Sequence, residues 1–420
     1  MDPVSAQDAV ESCISHITQR EAEVKAWQYF DAEAARNSAR TIDNAPARGL
    51  LHGMPIGIKD VFDTADMPTT YGSPIYSDHQ PAADAAFVST LRKAGAVVIG
   101  KTATTEFAFL HPAKTRNPWN LRHTPGGSSS GSAAAVAAGM TRLAIGTQTA
   151  GSTIRPAAFC GVFGFKPTHG SISLSGCLPL APSLDTVGLF ARTADDMGLL
   201  AHAASGGAIA LPTSVMPSKP RIGLVSPSHW ASCDQDTHQL FDRISALLGP
   251  ASAFCSYVRP FDVDELTRLH RLILSVEVLR GFESLVAAHP DRVSSEFKAV
   301  LAEGRGFSDA DYQAACRSAA EHRSRYGDWM KDFDFLILPS SSGEAPRVDA
   351  GTGDPDCARP GSLLGVPAIS VPAALGHTGL PLGIQLLGRS DGDAGLVAWA
   401  GWLSALLTGP SAGMRPSRPE

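Results

Sequence analysis

Short apolar runs rich in β-branched residues alternate along the chain with longer stretches in which apolar residues recur at helical spacing. The short runs predict buried strands over residues 96–99, 221–225, 335–338 and 384–387. The longer stretches predict helices over residues 84–94, 193–203, 264–285 and 309–329. Because strands that alternate with helices usually form a sheet covered by those helices, the pattern indicates an α/β protein with a largely buried sheet.

Polar side chains stand at several of the predicted helix starts, where they can accept hydrogen bonds from the first free N–H groups. Asp84, Thr193 and Asp264 are the candidate N-caps of three of the helices above. A further amphipathic stretch begins near the start of the chain, and Ser5, with Asp8 three residues later, predicts the cap of that helix.

Composition and charge exclude several classes of protein. The chain has 420 residues, of which 44% are hydrophobic and 18% charged, so it is neither disordered nor a small scaffold that needs cross-links. Its net charge is −6, with no basic block, so nucleic acid is not an expected partner. Seven scattered cysteines without a CxxC pair predict neither a disulfide framework nor a zinc site. No signal peptide and no apolar run of about 18 residues is evident, so we expect a cytoplasmic protein that does not contact membranes.

Residues 125–139 (PGGSSSGSAAAVAAG) consist almost entirely of Gly, Ser and Ala. A flexible linker would have this composition, but the alanine run that begins at Ala133 is a strong helix former. Glycine and serine also allow backbones to approach closely and leave hydroxyl and N–H groups accessible. The segment therefore predicts a glycine-rich loop that leads into a packed helix.

Two short motif matches occur here, one before this segment and one inside it. Residues 95–102 (GAVVIGKT) match the P-loop expression, but that motif requires a strand before its first glycine and a helix after its lysine. Because a predicted helix ends just before Gly95, this glycine is expected to follow a helix C-terminus instead. Residues 127–131 (GSSSG) match G-x-S-x-G, which would make Ser129 a nucleophile, although the residues before it are a poor strand.

Several segments in succession resemble the amidase signature family, serine hydrolases that cleave carboxamides. They are residues 53–60 (GMPIGIKD), 101–107 (KTATTEF), 125–131, 146–167 (GTQTAGSTIRPAAFCGVFGFKP), 183–188 (SLDTVG) and 364–388, with GVPAISVP and LPLGIQLLG. The resemblance covers nearly the whole chain and implies a mixed, largely buried β-sheet covered by helices on both sides, in a cofactor-free enzyme. It implies one domain over residues 1–420, which could be subdivided near residues 205–220, a stretch suited to a linker or a surface loop.

The family uses a lysine, a serine in a cis peptide and a second serine as a proton relay. Carried onto this sequence, the resemblance implies that Lys59 is the base, Ser128 the middle serine and Ser152 the nucleophile. Lys59 has apolar neighbours, and desolvation lowers the pKa of a lysine from its usual value of about 10.4. Two structural alternatives remain open: an ion pair of Lys59 with Asp60 or Asp63, and an N-cap role for Ser152.

Small residues precede Ser152 and allow consecutive backbone N–H groups to turn toward one point. Thr149, Ala150, Gly151 and Ser152 are therefore expected to form an oxyanion hole. The resemblance also places Ser129 in contact with the substrate.

The segment around Ser152 departs from the commonest family pattern. Gln148 stands in place of an aspartate, Ala150 in place of a glycine, and Arg155 lies three residues after the serine instead of two. This variant resembles the malonamidase-like branch, which implies that Arg155 binds the carboxylate of a small amide such as malonamate; a structural role for this arginine is the alternative. Cys160 is expected to be a buried packing residue and not a nucleophile.

The expected activity is hydrolysis of a small carboxamide, one that carries a carboxylate, to an acid and ammonia through an acyl-enzyme. The alternative is a glutaminase similar to the A subunit of tRNA-dependent amidotransferases, which passes ammonia to a partner; the changes at Gln148 and Arg155 argue against it. The expected partner is the small-molecule substrate, without a metal or cofactor, and the chain could form a homodimer.

Overall fold

A computed structural model describes residues 5–45, 49–212 and 219–408 of the chain. None of the helices in these ranges is both long and apolar enough to cross a bilayer. Eleven strands are described: β1 (Trp27–Phe30), β2 (Pro55–Lys59), β3 (Val97–Thr102), β4 (Leu143–Gln148), β5 (Phe163–Lys166), β6 (Thr186–Ala191), β7 (Arg221–Val225), β8 (Phe254–Val258), β9 (Phe335–Pro339), β10 (Ala368–Leu375) and β11 (Pro381–Leu387).

The strands form one mixed sheet in the order β1-β3-β2-β4-β6-β5-β10-β11-β9-β7-β8. β2 is parallel to both β3 and β4, whereas β4 is antiparallel to β6. All residues of β2, β4 and β6 are buried, so the predicted mixed and largely buried sheet is confirmed. Strands from before and after residues 205–220 share this sheet; residues 213–218 of that predicted linker lie outside the described residues.

Twelve α-helices are described: α1 (Ala6–Val24), α2 (Ala32–Asp43), α3 (Ala86–Lys93), α4 (Ser130–Ala137), α5 (Ile154–Cys160), α6 (Ala194–Ala204), α7 (Gln235–Ala251), α8 (Val263–Ala288), α9 (Ser295–Arg305), α10 (Asp309–Trp329), α11 (Arg359–Leu364) and α12 (Asp393–Thr408). The four predicted strands and four predicted helices are all present within a few residues of their predicted bounds. The helix expected after the glycine-rich loop is α4.

Alternating residues of the central strands enter different cores, which places helices on both faces of the sheet. In β3, Val98 belongs to a core with α3, whereas its neighbours Val97 and Ile99 pack with α1, α2 and α4. In β4, Leu143 joins the first core and Ala144 a third one with α4 and α5. Because successive strand residues point to opposite faces, this segregation confirms the predicted arrangement with helices on both sides.

Two of the four predicted helix N-caps are confirmed and two are wrong. Ser5 and Thr193 accept backbone hydrogen bonds at the starts of α1 and α6, as predicted. Asp84 does not cap α3, because its carboxylate accepts a hydrogen bond from the N–H of Ala65 instead. Asp264 lies inside the first turn of α8, and the carboxylate of Asp262 is the cap. Acidic residues within the first turn are favourable near the helix N-terminus and are difficult to distinguish from a cap by sequence.

Candidate active site

Lys59, the last residue of β2, lies fully buried beneath the glycine-rich loop. Its Nζ is 2.7 Å from Ser128 Oγ and 2.6 Å from Thr147 Oγ1. Burial, which disfavours the ammonium form, lowers the pKa of Lys59 to about 7. A lysine in this environment can exist as a neutral amine near physiological pH, which is the form that accepts a proton.

The expected alternative of an ion pair between Lys59 and its neighbouring aspartates is wrong. Asp60 follows Lys59 just past the end of β2, and its carboxylate lies 3.2 Å from Lys101 Nζ. Asp63 accepts a hydrogen bond of 2.7 Å from the hydroxyl of Tyr71. Asp60 therefore pairs with Lys101, whereas Lys59 Nζ contacts two hydroxyl groups.

Lys101 is also the lysine of the P-loop match. Lys101 lies inside β3, and Gly95 follows α3 with a positive φ of 90°, as expected for a residue after a helix C-terminus. The matched residues thus form a buried strand, without the open loop that a phosphate would need.

Ser128 lies in the glycine-rich loop, in the cis peptide Gly127–Ser128 that the resemblance implied. Ser129 is oriented away from Ser128: its Oγ donates to the Thr147 carbonyl and accepts from the Thr147 N–H, both at 3.2 Å. A Cβ at Gly146 would lie 2.5 Å from this hydroxyl, so the glycine allows the loop to sit on β4. Because Thr147 bonds this buried hydroxyl on both sides, the structure contradicts the alternative role of Ser129 as nucleophile and a contact of its hydroxyl with substrate.

Ser152 lies just before α5, and its residue surface is 8% exposed to a cavity. In the part of the chain that the structure describes, Ser152 Oγ has no hydrogen-bond partner. The expected alternative of an N-cap role is wrong, because Gln148 Oε1 accepts from the N–H groups of Thr153 and Ile154, each at 3.0 Å. The substituted glutamine therefore caps α5, and the hydroxyl of Ser152 remains available for chemistry.

The residues before Ser152 also border this cavity. Among the described residues, no acceptor is found for the backbone N–H groups of Ala150, Gly151 and Ser152. Thr149 uses its hydroxyl to donate to Asp185 at 2.5 Å, and its backbone lines the same wall. Consecutive free N–H groups beside a free hydroxyl are the arrangement that can hold a negatively charged oxygen.

The cavity at Ser152 has a volume of about 300 Å³, which suits a small molecule. Phe109, Leu180 and Leu274 contribute apolar surface, while Asp354 and Arg359 contribute charge. The lining therefore suits a compact molecule that combines an apolar portion with a polar or charged group.

Arg155 lies in α5 at the cavity wall and is buried without a carboxylate partner among the described residues. Its Nη1 donates to the carbonyl of Gly353 at 2.7 Å and its Nη2 to the carbonyl of Gly127 at 2.6 Å. Its Nε is buried and unpartnered. Burial lowers the pKa of Arg155 to about 10, well above physiological pH, so the guanidinium stays charged; Asp354 and Asp356 in the same lining act on this charge without forming an ion pair with it in the described part of the chain.

Cys160, at the end of α5, is buried, and its Sγ lies 3.5 Å from the carbonyl of Pro125. Burial raises the pKa of this thiol above its usual range, which disfavours the thiolate form. The structure confirms that Cys160 is a packing residue.

Two residues that shape this site were not predicted from the sequence. Thr147 provides the second hydroxyl contacted by Lys59. Alternation along the paired strands would place Thr147 on the face of Ile58 and Ile145, opposite to Lys59, so the sequence did not indicate this contact. Asp185 lies within one of the matched segments and accepts hydrogen bonds from Thr149, Leu180 and Ala181. This carboxylate joins the segment before Ser152 to the loop before β6.

In the described ranges, Asp236, Glu344 and His377 form a group whose ligand atoms could hold a metal ion. Both carboxylates already accept hydrogen bonds from backbone N–H groups, and none of the three lines the cavity at Ser152. The group therefore belongs to a different part of the molecule from the candidate site.

Comparison with known proteins identifies relatives over almost the full chain. A protein-family model described as Amidase matches residues 8–397. The A subunit of glutamyl-tRNA(Gln) amidotransferase from Shouchella clausii is 32% identical, with 93% of this chain and 92% of that protein covered. Putative amidase AmiD of Mycobacterium tuberculosis is 32% identical, with 97% of this chain and 91% of that protein covered. A solved structure described as an amidase has a TM-score of 0.88 and 29% identity, with 96% of each chain covered.

Proposed function

The chain belongs to the amidase family, and from this premise we propose that it hydrolyses a small carboxamide, carrying a carboxylate, to the acid and ammonia through an acyl-enzyme on Ser152. The observation that carries the proposal is the 2.7 Å contact between Ser128 and a buried Lys59 that forms no ion pair with any described residue. Amides are poor electrophiles, so their hydrolysis needs an activated nucleophile, an oxyanion site and a proton for the leaving nitrogen.

In the first half of the reaction, Ser152 Oγ attacks the amide carbon and gives its proton to Ser128, whose own proton passes to neutral Lys59. The carbonyl oxygen becomes an oxyanion facing the N–H groups of Ala150, Gly151 and Ser152. When the carbon–nitrogen bond breaks, the relay runs in reverse and protonates the leaving nitrogen, which departs as ammonia. A water molecule then attacks the ester by the same relay, releasing the acid and regenerating Ser152.

The rate should follow the neutral form of Lys59. We expect kcat/KM for a neutral primary amide to level off above about pH 7 and to fall tenfold per pH unit below it, since the protonated lysine cannot accept a proton. Initial rates of ammonia release between pH 5 and pH 10 measure this profile, with circular dichroism to verify that the protein stays folded. A rate that continues to rise toward pH 10 would indicate an unperturbed lysine and contradict the proposed base.

Arg155 supports the carboxylate part of the proposal. Its guanidinium is buried at the cavity wall, without a carboxylate partner among the described residues, and its Nε lacks a hydrogen bond. A buried cation is costly unless it is paired, and a substrate carboxylate would supply the missing partner. Malonamate is a small amide with a carboxylate that suits this cavity.

Substituting Arg155→Met should change selectivity. We expect the ratio of kcat/KM for malonamate to that for isovaleramide, a neutral amide of similar shape, to fall by about 10- to 100-fold, as for a lost charged hydrogen bond. Arg142→Met, which removes an arginine paired with Asp196 outside this cavity, should leave the ratio unchanged. An equal loss of kcat/KM on both amides would show that Arg155 has only a structural role, holding the carbonyls of Gly127 and Gly353.

The second candidate is a glutaminase that delivers ammonia to a partner, favoured by the full-length similarity to a protein named as the A subunit of an amidotransferase. Glutamine also carries a carboxylate, but it is longer than malonamate. Ammonia release from glutamine exceeding that from malonamate, together with a second protein that co-purifies with the chain, would favour this candidate.

A further inference from the structure

We propose that His270 and Ser362 are positioning residues that orient the N–H groups of Ala150 and Gly151 toward the oxyanion of the reaction. This inference rests on the proposed function, because the oxyanion forms only if Ser152 attacks an amide. Neither residue lines the cavity, so both would act through the backbone between them and the substrate.

The geometry of the peptide bond links each carbonyl in this segment to the N–H that follows it. In a trans peptide the carbonyl of one residue and the N–H of the next point in opposite directions. Fixing a carbonyl on the protein side therefore directs the following N–H to the opposite side. The only cis peptide in the described ranges is Gly127–Ser128, so the peptides of residues 149–152 are trans.

His270, in α8, fixes the first of these peptides. Its ring is fully buried, and its Nε2 lies 2.9 Å from the carbonyl oxygen of Thr149. The N–H of Ala150 belongs to the same peptide and consequently points away from His270, on the cavity side.

Ser362, in α11, fixes the next peptide in the same way. Its Oγ donates to the carbonyl of Ala150 at 2.7 Å and accepts from Gln148 Nε2 at 3.0 Å. Because the Ser362 hydroxyl accepts from Gln148, its single proton is donated to the Ala150 carbonyl. The N–H of Gly151, in the same peptide, is therefore directed to the cavity side. The third peptide is held within the backbone, since the N–H of Arg155 donates to the carbonyl of Gly151 at 3.0 Å.

Arg359 determines which nitrogen of His270 carries the proton. The Nη1 of this arginine lies 2.7 Å from His270 Nδ1, and an arginine can only donate. Nδ1 is therefore the acceptor and Nε2 carries the hydrogen that Thr149 needs. Arg359 is itself held by Asp356 at 2.5 Å. Burial and the charge of Arg359 lower the pKa of His270 to about 3, so the neutral tautomer persists at every working pH.

His270 and Ser362 each anchor one backbone carbonyl, and the loss in kcat on removing an anchor can be bounded by the contribution of an oxyanion donor. Removing such a donor outright usually costs 10²- to 10³-fold in kcat. Removing the anchor of its carbonyl frees the peptide without deleting the donor, so we expect a loss of about 10- to 100-fold in kcat. KM should change little, because the ground-state amide contacts these N–H groups more weakly than the oxyanion does.

The experiment compares His270→Leu with His270→Gln in the full-length protein, using ammonia release from malonamate to separate kcat from KM. Leucine removes the donor, whereas the glutamine side chain retains an N–H of comparable reach. We expect a 10- to 100-fold lower kcat with KM within threefold for His270→Leu, and recovery of most of this loss in His270→Gln. Ser362→Ala should lower kcat in the same way with KM within threefold, and it should lower the melting temperature by a few degrees because Gln148 Nε2 and the Ala150 carbonyl lose a buried partner.

Two results would overturn the inference. One is a wild-type kcat in His270→Leu and Ser362→Ala. The other is an equal loss in His270→Leu and His270→Gln, with KM and melting temperature shifted together, as expected for a merely structural histidine. The proposed function fails separately, if Ser152→Ala retains turnover.

Discussion

Lys59→Met is expected to lower kcat/KM for a primary amide by about 10³-fold or more, because the substitution removes the base of the relay while leaving Ser152 in place. Methionine has nearly the length of lysine and fills the same buried space. A buried lysine that contacts only two hydroxyl groups among the described residues is itself unfavourable, so the melting temperature should remain the same or rise. Ammonia release and thermal unfolding measure the two effects.

Lys166→Met is the matched control for this substitution. Lys166, the last residue of β5, is also fully buried, and burial likewise lowers its pKa to about 7. Its Nζ lies 2.9 Å from the carbonyl of Pro167, and it does not line the cavity at Ser152. We expect this variant to keep near wild-type activity. Comparable losses in both variants would show that the effect comes from disturbing the core, and would remove Lys59 from the relay.

Ser152→Ala is expected to lower kcat by about 10⁴- to 10⁶-fold, since no acyl-enzyme can form without its Oγ. The remaining activity would come from substrate binding and the N–H groups of Ala150 and Gly151, which the substitution leaves in place. Because Ser152 Oγ makes no hydrogen bond with the described part of the protein and Gln148 caps α5, stability should change by less than about 1 kcal/mol.

Cys160→Ala tests the nearby alternative nucleophile. The thiol is buried and outside the cavity, so activity should remain within about twofold of the wild type. Turnover that survives in Ser152→Ala but disappears in Cys160→Ala would reverse the two assignments.

The local parts of the site could be predicted from the sequence because each depends on a short motif. Residues 53–60 pointed to Lys59, the glycine-rich loop to Ser128, and the segment after β4 to Ser152. The structure brings the first two into contact at 2.7 Å across 69 residues of chain. The resemblance also implied the cis peptide, which no pattern of apolar residues could have indicated.

The long-range contacts could not be predicted in this way. Ser362 reaches Ala150 across 212 residues, and His270 reaches Thr149 across 121 residues. Neither carries a motif, because a single hydrogen bond to a backbone carbonyl leaves no pattern in the sequence. The partner of Asp60 could not be predicted either: this residue lies just past the end of β2, so strand alternation does not fix its direction, and only the folded protein shows its carboxylate at Lys101.

Ser129 shows how neighbours in a loop can have opposite roles. It follows Ser128 directly and matches G-x-S-x-G, yet its hydroxyl is bonded on both sides by the backbone of Thr147. The orientation of these two side chains is set by the loop backbone and its contact with β4 at Gly146, which are properties of the folded protein.

Mapping the residue that a small fluorophosphonate modifies tests the central claim most directly. Phosphonylation of a serine expels fluoride and requires the same activated hydroxyl as acylation. Mass spectrometry of the digested protein should locate the label on Ser152, and labelling should be lost in Lys59→Met but retained in Lys166→Met. A label on Ser129 or on any other residue, or labelling of Ser152 that is equally fast in Lys59→Met, would contradict the proposed relay.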